Sequence, residues 1–129
     1  MKALNDISIE IYNALLGYVS NNVYDEYAPK KITETATDFI VYNVGYVRPQ
    51  HDFESGEAFR SYVMITCFAK DKANGIKNTA KLKTMSDALT QAVGSISTLR
   101  MSLSSIEVSS TRIEGYTGQT IIYNIYKKD

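Results

Sequence analysis

A strand followed by an amphipathic helix lies in the middle of the chain and constrains the fold most strongly. Tyr62–Ala69 is an apolar run whose alternate side chains are apolar on both faces, which is typical of a central strand covered on both sides. The polar turn Asp71–Gly75 ends this strand. Apolar residues then recur at steps of three and four, as on one face of a helix. They are Leu82, Met85, Leu89, Ala92, Val93 and Ile96.

The length and charge of the chain limit both its domain count and its partners. A chain of 129 residues has the size of one domain, and we expect residues 1–129 to form it. Fourteen basic residues balance fourteen acidic ones. Because no strong electrostatic field results, tight binding of nucleic acid or of an anionic membrane by bulk charge is disfavoured.

Cysteine content and hydropathy point to a soluble protein of the cytosol. Cys67 is the single cysteine, so an intramolecular disulfide is excluded, and its apolar neighbours predict a buried side chain. Neither a signal peptide nor a run of 18 apolar residues is present, so we expect no membrane association.

The first predicted helix, Leu4–Val19, is apolar around most of its circumference. One stripe comprises Leu4, Ile7, Ile11, Ala14 and Tyr18, and a second comprises Ile9, Tyr12, Leu16 and Val19. A helix of this kind must be covered from more than one direction. Either both helices share one face of the sheet or another chain contributes, and we expect the two together.

The remaining segments are predicted mostly as strands. An edge strand is predicted at Val23–Pro29, followed by a polar connection at Lys30–Thr37. Further strands are predicted at Asp38–Arg48 and Gln119–Lys127. Strand character is also present around Leu103, Ile106 and Val108. Pro49–Glu57 is a loop longer than most hairpin loops, and it is either functional or disordered. The sequence thus predicts an α+β fold with a single mixed or antiparallel sheet of four to five strands. Two helices pack on one face, in the order α-β-β-β-α-β-β.

The sequence contains no pattern that indicates catalysis. His51 is the single histidine, whereas a zinc site needs three or four converging ligands. Neither a Gly-x-Ser-x-Gly sequence nor a glycine-rich phosphate loop occurs. We therefore expect no enzyme activity, no metal and no cofactor. A small enzymatic or ligand-binding α+β domain is the alternative of a different class, and it would require a deep pocket.

The order of elements resembles tail terminator, or tail-completion, proteins of long-tailed bacteriophages and related neck proteins. The stretches that carry the resemblance are the helix Ile7–Val19, Val23-Tyr24 before a proline, Asp38–Tyr42, Tyr62–Asp71, the helix around Met85–Val93 and the closing hairpin Ile106–Tyr126. Together they span almost the whole chain.

This resemblance implies a structural protein of the virion, assembled in the host cytoplasm. Such proteins form a ring, commonly six-fold, at the head-proximal end of the tail tube, where the ring stops tube growth and meets the head connector. The implied partners are further copies of the chain, the tail tube protein, connector or neck proteins, and DNA passing through the lumen. Another head-completion or connector ring is the alternative within this class.

Two regions are predicted to contact neighbouring subunits. The first helix contributes Ile9, Tyr12 and Leu16 from its second stripe. The long loop contributes Arg48, His51, Phe53 and Glu54, as a lip facing a neighbouring subunit or ring.

Overall fold

A computed structural model describes residues 4–47, 60–96, 99–108 and 113–127. The strands are β1 (Val23–Asp25), β2 (Asp38–Val47), β3 (Arg60–Lys70), β4 (Leu99–Val108) and β5 (Tyr116–Lys127). The helices are α1 (Leu4–Leu15), α2 (Lys30–Thr35) and α3 (Thr79–Gly94), with a short 3-10 turn at Ala73–Gly75. All five strands form one mixed sheet, which confirms the predicted α+β class.

The sheet has the strand order β1-β2-β3-β5-β4, with β3 at its centre. The pair β1 and β2 is parallel, and the other pairs are antiparallel. β1 and β4 are therefore the two edges of the sheet, and they lie at opposite ends of it. The edge strand predicted at Val23–Pro29 is confirmed for its first three residues, Val23–Asp25.

The main hydrophobic core lies between the sheet and the helices α1 and α3. Val63 and Ile65 on β3 are fully buried against these helices, and so are Ile11 on α1 and Leu89 on α3. The prediction that two helices pack on one face is thus confirmed. The sequence predicted that β3 is covered on both faces. On the face away from α1 and α3, however, Tyr62 and Met64 are only partly buried.

A smaller aromatic cluster lies on the opposite face, beneath α2. Phe39 and Phe68 stack with ring centroids 4.7 Å apart, and Tyr116 meets Phe39 edge-on at 5.1 Å. The Tyr116 hydroxyl donates to the backbone carbonyl of Ala36, just after α2. The predicted polar connection at Lys30–Thr37 contains a six-residue helix that the sequence did not indicate, and this tyrosine anchors the backbone just after it.

Helix α1 is shorter than predicted. It ends at Leu15 rather than Val19, since Gly17 adopts a left-handed conformation with φ of 80°, which is a common way for a helix to stop. Tyr18 and Val19 consequently lie outside the helix and do not belong to the two predicted stripes. Leu15, which neither stripe included, is 1% exposed and completes the buried face.

A polar network joins the segment after α1 to both β2 and α3. Asp38 accepts a hydrogen bond of 2.5 Å from the Ser20 hydroxyl and forms a 3.0 Å ion pair with Lys81. Asn22 donates its side-chain amide to the Asp38 carbonyl. These contacts hold the segment after α1 against β2 and α3.

Replacing Gly45 with alanine is expected to lower the free energy of unfolding by up to about 2 kcal/mol, because the cost of overpacking is partly offset by the preference of a strand for alanine over glycine. A Cβ at this position of β2 would lie 2.7 Å from the Tyr62 ring, so the ring would have to move off the strand. Gly94→Ala is the matched control, because a Cβ there meets no atom within 4 Å. Gly94 is the last residue of α3, and its replacement by alanine should raise the free energy of unfolding by about 0.5–1 kcal/mol. Urea unfolding of both variants tests this, and equal stability of Gly45→Ala and the wild type would contradict it.

Candidate self-association surfaces

Helix α1 has an apolar surface on the side away from the core. Ile7, Ile11 and Leu15 bury one face of the helix completely. Ile9, Tyr12 and Leu16 lie on the other side and are 58%, 36% and 40% exposed. We call these three residues the outer stripe. The predicted contact residues of α1 are thus close together and accessible, although both helices pack on the sheet.

Hydrogen bonds of Ser8 show which way the outer stripe faces. The Ser8 hydroxyl donates to the Asp25 carboxylate on β1 at 3.1 Å. Tyr12 and Leu16 follow Ser8 at steps of four residues, so they lie along the same side of the helix. The amide of Leu16 still donates to the Tyr12 carbonyl at 2.9 Å, which continues the helical pattern. Tyr12 and Leu16 of the outer stripe therefore lie toward the β1 edge of the sheet, and Ile9 is the most exposed of the three residues.

The second predicted contact region is the long loop that follows β2 in the sequence. Arg48, His51, Phe53 and Glu54 fall between residues 47 and 60, outside the described residues. Their assignment to a lip that faces a neighbouring subunit stays a prediction.

A second apolar surface, not predicted from the sequence, lies on β4. Leu103 and Ile106 are 55% and 53% exposed, and we call this pair the strand patch. They stand opposite Tyr123 and Ile121 of β5, both of which belong to the core. Directly opposed residues share a face of the sheet, so the strand patch lies on the face that carries α1 and α3.

A β-bulge brings the two residues of the strand patch onto one face. Residues three apart in a regular strand point to opposite faces. The register of β4 shifts between Leu103 and Ser105, so that one extra residue is accommodated. A signal for the strand patch is therefore present in the sequence as two apolar residues among serines, but a regular alternation would have separated them.

The dimensions of the elements explain why the strand patch is uncovered. Helices pack about 8–10 Å apart, whereas neighbouring strands are about 4.8 Å apart. Two helices therefore cover about four strands. α1 contacts β1 and β2, and α3 contacts β3. The inward residues of β5 are buried in the core, whereas on β4 only Met101 packs against it, so β4 at the opposite edge is the least covered of the five described strands.

Other groups in the described part of the chain give little indication of chemistry. No group of three or more histidine, cysteine or acidic residues is placed there to hold a metal ion. A surface depression of about 360 Å³ lies beside α3, but the charged residues Lys83 and Asp87 on its wall already pair with each other at 2.9 Å.

The free energy of unfolding is expected to fall as pH rises above 9.0. Burial, and then the charge of Asp38, raises the pKa of the Cys67 thiol from 9.0 to about 12. In this window the unfolded chain releases the thiol proton while the folded chain retains it, so folding becomes less favourable. Burial also raises the pKa of Tyr42 and of Tyr123, which acts in the same direction. Urea unfolding on both sides of pH 9.0 should show a smaller loss for Cys67→Ala than for the wild type. An equal loss would contradict the assignment to Cys67.

Comparisons with known proteins assign no family to the chain. No protein-family model matches it, and no curated protein matches it either. Within the described residues, no helix is both long enough and apolar enough to span a membrane.

Proposed function

We propose that this protein is a structural subunit of a phage virion that assembles with copies of itself into a ring at the head-proximal end of the tail. The observation that carries the proposal is the outer stripe of α1, which is 36–58% exposed. Clustered apolar surface of this kind is stabilised when another protein covers it.

A ring also accounts for the presence of two apolar surfaces. A subunit of a closed ring contacts its two neighbours through two different surfaces, whereas a two-fold dimer uses one surface twice. Tyr12 and Leu16 of the outer stripe lie toward β1 and the strand patch lies on β4, at the two ends of the sheet. This placement supports a ring rather than a simple dimer.

The place of the ring in the virion is proposed from the resemblance to tail terminators. There it would stop growth of the tail tube, join the tail to the head connector and let DNA pass. The balanced charge of the chain agrees with a lumen in which DNA is not held by a strong field. A connector ring elsewhere in the neck would use the same two surfaces.

The assembly state is the first test of this proposal. We expect light scattering after size exclusion, over a wide range of protein concentration, to give a mass several times that of the monomer, and negative-stain images to show rings. Ile9→Lys should reduce the assembly to monomers, because a charge in the contact would lose its water. Thr84→Lys is the matched control, because Thr84 is an exposed helical residue on α3 and belongs to neither apolar surface. A wild-type protein that is monomeric throughout, with and without tail tubes, would overturn the proposal.

A second experiment separates a tail terminator from a connector ring. Tail tube subunits are allowed to polymerise with and without the protein, and tube lengths are measured in micrographs. A terminator should shorten the tubes and be found at one end of each. Unchanged tube lengths, with rings still present in the images, would favour the connector.

A further inference from the structure

We propose that the outer stripe of one copy packs on the strand patch of the next, so that one kind of contact repeats around the ring. This inference rests on the proposed function, in that it requires copies of the chain to associate. It goes further by naming both sides of the contact. Ile9, Tyr12 and Leu16 form one side, and Leu103 and Ile106 form the other.

The shape of the strand patch fits a helix. It lies on the face of the sheet that already carries α1 and α3, next to the position where a third helix would pack. An α-helix from the next copy would cover β4 much as α3 covers β3. The outer stripe of α1 in a second copy is an exposed apolar helix surface that can take this position.

Charge disfavours the alternative in which two outer stripes meet each other. Residues 4–29 contain four acidic residues and no basic one, and Asp25 and Glu26 at the β1 edge are exposed. A symmetric contact through this edge would bring the acidic groups of both copies together. On β4, Arg100 and Glu107 balance each other, so that edge does not repel an acidic partner.

Joining two sheets through β1 is also disfavoured. β1 has three residues, and the chain then turns at Glu26, which has a φ of 72°, before reaching Pro29. So short an edge offers few backbone groups to a neighbouring strand. At this end of the molecule, the side chains of the outer stripe offer a larger contact surface than the backbone edge of β1.

The areas agree with a contact of ordinary size. Half-exposed side chains of this size leave on the order of 80–100 Å² open each, so the outer stripe supplies an apolar centre of roughly 250 Å². A stable interface buries about 800 Å² on each partner, with an apolar centre and a polar rim. Two such contacts would take about a fifth of the 8250 Å² surface of one copy.

The test uses two full-length double variants, each with one surface blocked. Ile9→Lys with Leu16→Lys blocks the outer stripe, and Leu103→Lys with Ile106→Lys blocks the strand patch. All four residues are exposed, so melting temperatures close to that of the monomeric wild type are expected. If the strand variant does not fold, Leu103→Ser with Ile106→Ser replaces it, because serine already occupies neighbouring positions of β4.

Mixing the two variants distinguishes the possible contacts. Each variant alone should be monomeric, with association weakened at least about 100-fold. The equimolar mixture should form a 1:1 dimer and nothing larger, because a single intact contact remains between the two. If the strand variant alone forms dimers, the outer stripe pairs with itself and the inference is overturned. If the helix variant alone forms dimers, the strand patch pairs with itself and the inference is likewise overturned.

Two further outcomes separate this inference from the proposed function. If both variants assemble as the wild type does, self-association stands and the named surfaces are wrong. If the wild type itself never assembles, the proposed function fails, and this contact fails with it.

Discussion

Replacing Phe39 with alanine is expected to lower the free energy of unfolding by about 3–5 kcal/mol. Phe39 is fully buried and contacts Phe68 and Tyr116 on the face of the sheet beneath α2. Its loss would leave a cavity at the centre of this aromatic cluster. Because Tyr116 also binds the backbone just after α2, the helix should become less protected as well. Urea unfolding measures the first effect, and amide hydrogen exchange of α2 measures the second.

Tyr27→Ala is the control for this aromatic substitution. Tyr27 is 77% exposed, so its replacement should change stability by less than about 0.5 kcal/mol. A small effect of Phe39→Ala, similar to that of the control, would mean that the aromatic cluster does not stabilise the fold. The sheet would then depend on the core between β3, α1 and α3 alone.

Replacing Leu89 with alanine is expected to lower the free energy of unfolding by about 2–5 kcal/mol. Leu89 is fully buried in α3, within the core between the helices and the sheet. The removed methyl groups leave a cavity that the surrounding rigid strands cannot fill. Thermal or urea unfolding of the purified variant measures this effect.

Leu103→Ala tests the same chemical change on the strand patch. In a dilute, monomeric sample this substitution should lower the free energy of unfolding by less than about 0.5 kcal/mol, since Leu103 is 55% exposed. At a concentration where the protein assembles, the same substitution should weaken association. A large loss of stability in the monomer would show that Leu103 belongs to the core of a single copy and not to a contact between copies.

Regular elements with strong periodicity were predictable from the sequence. The strand at β3 follows from a continuous apolar run, and the helix at α3 follows from apolar residues at steps of three to four. α2 was missed because Ile32 is the single large apolar residue of Lys30–Thr35, and its anchor, Tyr116, lies far away in sequence. The end of α1 was missed because Gly17 was interpreted as a solvent-facing helical residue rather than as a stop.

The two apolar surfaces differ in how far the sequence could indicate them. The outer stripe was predictable, because a helix with too many apolar residues must leave some outside. The strand patch was not, because its position depends on the bulge in β4 and on which strand two helices leave uncovered. Both are properties of the assembled sheet rather than of any short segment.

The bulge in β4 also bears on aggregation. An edge strand of ten residues with exposed apolar side chains is a potential template for uncontrolled strand addition. A bulge bends such an edge and interrupts its ladder of backbone groups. β4 can thus present Leu103 and Ile106 to a helix while offering an incoming strand an irregular edge. Removing Ser104 would leave the register on either side intact and straighten the strand, which would make the protein more prone to form fibrils.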